Sequence, residues 1–174
     1  MRAAGGALAR LVALAVLAAA APALAAAPAL LGEFGPWAAW SLDEPGGKLC
    51  YMYAEPERET GKYTSRGDTY MQITHRNAAK SRNVVSVTAG YTHKPESEVE
   101  LVVDGSKKFM LFTDADTAWA RDAETDAAVV GAMRAGTRLV VRGTSSRGTL
   151  TTDTYSLNGV TSAHNAIGKA CGVR

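Results

Sequence analysis

Two cysteines and three histidines are all that 174 residues contain, and that scarcity removes most of the usual chemistries. His75, His93 and His164 are widely separated, and none has a second histidine or a cysteine at ligand spacing. Neither HExxH nor CxxC occurs, so no zinc-site motif is present. Asp114-x-Asp116 opens like a calcium loop. Ala118, Ala120 and Thr125 then stand where further oxygen ligands belong, and the central glycine is missing, so it reads as an acidic surface turn. Nucleophilic catalysis is equally bare. There is no G-x-S-x-G elbow, and a lone histidine in an alternating strand is ordinarily packed or exposed. Glu55, Glu57 and Glu59 fall in a charged stretch that needs no catalytic reading. The segment 143–149 has the outline of a phosphate loop but lacks the lysine. It also leads into a strand rather than a helix, so it reads as a hairpin turn with Arg147 at its tip. No catalytic, cofactor-binding or metal-binding residue is assigned, no cofactor is expected, and the chain is read as a non-enzyme.

An excess of one charge is also missing. Lys and Arg number 19 against 17 Asp and Glu, and Arg2 and Arg10 lie in a segment expected to be removed. The remainder is balanced, so charge gives no case for a nucleic-acid partner. The removed segment is residues 1–25. Arg2 and Arg10 form its positive part, and Leu11 through Leu24 is an apolar run interrupted by Pro22. Ala23-Leu24-Ala25 is a small-x-small cleavage site, with Ala25-Ala26-Ala27 a second. The run is short against the ~20 residues a spanning helix needs. It reads as a secretory signal, with no integral membrane span after cleavage. Residues 26–174 form one domain, long enough to bury a core, in the periplasm or secreted. In such a compartment a lone cysteine pair is expected to bridge, so Cys50 and Cys171 should form a disulfide.

What the mature chain does have is alternation. Roughly seven to nine short strands are predicted: 37–41 is a short aromatic segment, and strands are read over 49–53, 69–75, 83–89, 98–103, 107–112, 117–121, 137–142 and 149–156. Asp104-Gly105 is a two-residue hairpin signal. The polar stretch 55–68, with six charged residues before Gly67, reads as a long exposed connection. Helices are predicted over 123–134, capped by Thr125 or Asp126 and stopped by Gly136, and over 160–170. Strands that follow one another without intervening helices disfavour a parallel sheet. The predicted fold is mostly β, an antiparallel sandwich or partly closed barrel with two short helices. Among the few aromatics, Trp37, Trp40 and Trp119 are candidates for a binding face, core packing being the ordinary alternative.

Several stretches together carry a resemblance. They are the Trp37 segment, Lys48-Leu49-Cys50-Tyr51, Thr69-Tyr70-Met71, Phe112 through Arg121, and Thr152 through Val160 with the terminal Ala170-Cys171. The closing Tyr-Ser-Leu-x-Gly, followed by a helix and a cysteine, is the most specific part. The chain resembles the invasion-associated locus B family in its shorter, two-cysteine form. The resemblance implies a small exported β protein of Gram-negative bacteria, chiefly alphaproteobacteria, associated in pathogens with entry into host cells, and it brings no enzymatic activity or cofactor. The leading expectation is a periplasmic or envelope-associated binding or accessory protein with an unidentified envelope or host-surface partner. The alternatives are a secreted virulence factor and an envelope-acting hydrolase using His75 or His164 as base.

Overall fold

The structure is a computed structural model describing residues 27–173. The expected signal, residues 1–25, lies outside the described residues. Eleven strands and two helices follow one another. The first six strands are β1 (Ala29–Phe34), β2 (Trp37–Glu44), β3 (Gly47–Ala54), β4 (Arg58–Gly61), β5 (Tyr70–Arg76) and β6 (Ser81–Thr88). Then come β7 (Glu98–Val103), β8 (Lys107–Asp114), β9 (Thr117–Trp119) and α1 (Ala123–Ala135). β10 (Arg138–Thr144), β11 (Leu150–Ser156) and α2 (Val160–Ala170) complete the chain. All the strands belong to one antiparallel sheet of order β1-β2-β3-β5-β6-β9-β8-β7-β10-β11-β4. β1 and β4 end the sheet without pairing to each other, so the barrel stays open. This is the predicted mostly β class.

The period-2 pattern puts one face of each strand inward. In β5, Met71, Ile73 and His75 are buried while Tyr70, Gln72 and Thr74 face outward, as the alternation predicts. Cys50 and Met52 of β3, Leu101 of β7, Leu139 of β10 and Tyr155 of β11 complete the same core. The sheet bends far enough for its two margins to meet. The Trp37 indole N–H, on the second strand from one end, donates to the Ser156 carbonyl on the second strand from the other.

Helix α2 covers the inner face of β1, β2 and β3, and Cys171 just beyond it bridges to Cys50. The Cα atoms are 6.0 Å apart across a sequence separation of 121, so the expected disulfide is present. Helix α1 packs along β6. On β6, β9 pairs with Ser86–Thr88 alone, which leaves the earlier part of β6 without a strand on that side. The Asp126 carboxylate takes up the slack by accepting from the Val85 N–H at 2.8 Å. Burial raises the Asp126 pKa, and the Val85 bond opposes it. The helix cap is therefore Asp122, whose side chain accepts from Thr125 N at 2.7 Å, rather than Thr125 or Asp126.

Three further expectations are corrected. β1 is a strand the alternation did not reveal. The stretch 55–68 contains β4, which pairs with β11 through Arg58–Gly61. In the β7–β8 hairpin Val103 pairs with Lys107, so the connection holds three residues, with φ of 49° at Asp104 and 71° at Gly105.

Candidate functional site

Three backbone segments converge at one end of the sheet. They are the connection after β4 (62–67), the segment after β6 (90–92) and the turn between β10 and β11 (145–149). Between them is an open cleft of about 570 Å³. Its floor is a contact between two glycines. Gly67 N donates to Gly90 O at 2.9 Å, and a Cβ on Gly90 would lie 2.3 Å from Gly67 O. Gly90 also has a φ of +68°, so both shape and space require glycine there.

Arg66 fixes the first wall. Its guanidinium makes a bidentate pair with Asp153 of β11, at 2.6 and 2.7 Å, and both side chains are only 3% exposed. Nε donates to the Ala89 carbonyl at 2.6 Å, and Nη1 reaches Glu59 at 3.3 Å. Burial works to lower the Arg66 pKa. The bonds and charge of Asp153, with the charge of Glu59, outweigh it and hold the cation above its ordinary range. The same guanidinium lies 5.1 Å from the centroid of the Tyr91 ring and 5.7 Å from that of Tyr63, so it steadies both rings.

The second and third walls are joined by backbone. Ser146 N donates to Thr92 O at 2.8 Å and Lys94 N to Thr144 O at 2.9 Å, while His93 bridges to Ser145. The Tyr91 hydroxyl bonds to the Thr151 hydroxyl at 2.7 Å. Gly143 makes room for this arrangement, because a Cβ there would stand 2.8 Å from the Tyr91 oxygen and 3.3 Å from the His93 ring. His93 is buried, with no hydrogen-bond partner on either ring nitrogen among the described residues, and burial lowers its pKa. Burial thus favours the neutral form of this ring, which meets the Tyr91 ring edge to face at 5.2 Å.

The turn 145–149 does not form a phosphate cradle. Ser145 N, Gly148 N and Thr149 N bond within the turn, and Ser146 N bonds to Thr92 O. A bare anion would find those amides already engaged.

His75 and His164 meet elsewhere. The β5–β6 ladder slips between Thr74 and Arg76, and Asn83, at a φ of 58°, donates its N–H to His75 Nδ1 at 3.0 Å. Its side-chain oxygen is 2.8 Å from His164 Nε2, and the two rings meet edge to face at 5.3 Å. The pair therefore shares an asparagine. His75 is fully buried beside the disulfide, directly across from Cys50 in the ladder. Burial first, and then the His164 charge, push its pKa down to about 4.

The three tryptophans separate. Trp37 is fully buried and bonded to Ser156, so it presents no surface. Trp40 and Trp119 are half-buried on the outer face of the sheet, in different cross-strand rows. The Asp114–Asp116 turn is a structural one: its Ala115 and Asp116 carbonyls accept from the His93 and Ala89 amides, and the Asp116 carboxylate accepts from the Thr117 hydroxyl. Among the described residues no three His, Cys, Asp or Glu side chains are grouped to hold a metal ion, and no helix is long and apolar enough to cross a membrane.

Arg66, Asp153 and Tyr91 are the residues that sequence reasoning missed. Arg66 sat in a stretch whose charge pointed to solvent. Asp153 did leave a signal, since it shares a strand face with Tyr155, and a carboxylate in phase with a buried aromatic needs a cation.

No curated protein matches the chain. The crystal structure of invasion associated protein B from Bartonella henselae matches with a TM-score of 0.55 at 21% identity, covering 78% of this chain and 94% of that one. That likeness is one of fold. The model of the invasion associated locus B (IalB) protein family matches residues 37–168, from the buried Trp37 nearly to the end of α2, and the chain belongs to that family.

Proposed function

We propose that this chain is an exported, envelope-associated protein that binds a partner or ligand and performs no chemistry of its own. The cleft beside Arg66 carries the reading. Its walls are locked by a buried ion pair and by main-chain bonds, while hydroxyls and cations on its surface are left for a ligand. Fixed walls with unengaged polar groups are what recognition requires. The disulfide between two buried cysteines supports export, since such bonds persist in oxidising compartments. The leader-like residues 1–25 support it independently.

The test is crosslinking in the producing cell, with a photoreactive side chain at Thr92 or Ser146 on the cleft and at Ala79 in the β5–β6 turn as control. Ala79 is exposed and lies at the far end of the strands whose near ends border the cleft. Envelope fractionation should find the protein outside the cytoplasm, with adducts from the cleft positions and none from Ala79. Cytoplasmic protein, or equal crosslinking from all three positions, defeats the proposal. Free protein in the medium without an envelope adduct would favour the secreted, host-contacting alternative instead.

A further inference from the structure

Resting on the reading of the cleft as a ligand site, we infer that its ligand is an anionic saccharide. Three observations select that chemistry. No acidic side chain lines the cleft, whereas Lys62 and Arg147 stand exposed at its mouth, and neither is in an ion pair among the described residues. Arg66 does not compete with them for an anion, because Asp153, Glu59 and the Ala89 carbonyl already engage it. The ligand's negative charge is therefore met at the mouth and not on the floor.

The second observation is the number of unengaged hydroxyls. Thr64, Ser65, Thr92, Ser146 and Thr149 all line the cleft, and none of their side chains makes a hydrogen bond among the described residues. Hydroxyls both donate and accept, which suits a ligand that itself presents many hydroxyls. Tyr63 adds a ring at the cleft wall, 36% exposed and oriented by Arg66 on its face and by a 3.3 Å bond from its hydroxyl to Glu59. A pyranose ring presents C–H groups to such a surface and hydroxyls to its surroundings.

The third observation weighs against the simplest competitor at the basic turn. A bare phosphate is usually held by converging backbone amides. Here the amides of Ser145, Ser146, Gly148 and Thr149 are bonded internally. At that turn recognition falls to side chains, and the unengaged hydroxyls are spread over all three walls, which suits a ligand large enough to touch several of them. The cleft also opens past Lys62, Arg147 and Thr149 into a second hollow that reaches Gly61 and Leu150, so there is room for more than one sugar unit.

The charge can come from a sugar carboxylate or from a sugar phosphate, and calorimetric titration of the exported, processed protein separates the two. The probes are trigalacturonate for the carboxylate and glucose 1-phosphate for the phosphate, with maltotriose and inorganic phosphate as controls. At least one anionic sugar should bind about tenfold or more tighter than either control, and the affinity should fall with added salt. Which of the two binds names the source. K62Q/R147Q should lose at least about tenfold in affinity for that sugar while its melting temperature stays unchanged, and Y63A should weaken binding of sugar but not its salt dependence. Binding of maltotriose or of inorganic phosphate as tight as that of the anionic sugars overturns the inference, as does binding of none of the four. Cleft crosslinks that persist in cells while all four probes fail would sink the saccharide alone and leave the binding site standing.

Discussion

The indole N–H of Trp37 donates to the main-chain carbonyl of Ser156 at 3.0 Å, across 119 residues of sequence. One turn later Gly159, at a φ of +88°, lies so close to Phe34 that an added Cβ would stand 2.0 Å from its carbonyl oxygen. The run Tyr155-Ser-Leu-Asn-Gly159 is thus a seam. Tyr155 and Leu157 fill the core, Ser156 receives the tryptophan, and Gly159 lets the β1–β2 turn approach. Gly159→Ala should cost more than about 2 kcal/mol, combining a left-handed backbone with a clash against main chain. Gly148→Ala is the control. Its φ is +81°, yet nothing lies within 4 Å of the new methyl, so only the conformational cost of about 1 kcal/mol should appear. Urea unfolding of both variants measures the difference, and equal losses would show that the seam tolerates a side chain.

The disulfide ties the residue after α2 to the middle of β3. On the chain-entropy model, closing a loop of this length contributes about 4 to 5 kcal/mol. Cys50→Ser and Cys171→Ser should each lose an amount of that order and accumulate poorly, and the double variant should lose little more than either single one. Equal accumulation and an unchanged melting point would show that packing of α2 suffices without the bond.

The strands and helices that could be read from sequence were those whose pattern reports local burial. β5 alternates cleanly because one side faces the core and the other faces solvent, and α2 carries Val160, Ala163 and Ile167 at helical spacing. The cleft was illegible because tertiary contacts override local pattern there. Arg66 looked solvated, yet Asp153 buries it. In β11 Leu150 is 59% exposed while Thr151 and Asp153 face inward, so polarity there points the wrong way. Trp37 shows the converse, since a candidate surface aromatic proves to be a core residue whose only polar atom finds Ser156.

Acid should weaken the fold through His75. Its folded-state pKa is depressed to about 4 by burial, aided by His164, against an ordinary value of 6.5. Above pH 6.5 both folded and unfolded chains hold the ring neutral. As pH falls from 6.5 toward 4, the unfolded chain takes up a proton that the folded chain refuses, and stability should drop by up to about 3 kcal/mol. His93 and His164 are also depressed by burial and add in the same direction, while the raised Asp126 works against them. His75→Gln should flatten the slope of stability against pH across this window. A variant with the wild-type slope would assign the acid sensitivity to the other histidines.

Arg66 and Asp153 make the most specific energetic prediction, because both are buried and each satisfies the other. Removing one member strands a buried charge, which typically costs about 3–5 kcal/mol. Asp153→Asn should approach that loss, since a neutral amide leaves the guanidinium with only Glu59 as counter-charge. Arg66→Met should strand the carboxylate in the same way. The double variant Arg66→Met/Asp153→Leu removes both charges together and should be less destabilised than either single variant, a coupling that unfolding measurements on the four proteins read directly. Ligand binding should not follow stability. The double variant loses the cation that steadies Tyr63 and Tyr91, and the bond that holds the 62–67 segment to β11, so it should fold and yet bind weakly. A double variant that folds and binds like the parent would show that the pair serves stability alone and that the backbone contacts are enough to shape the cleft.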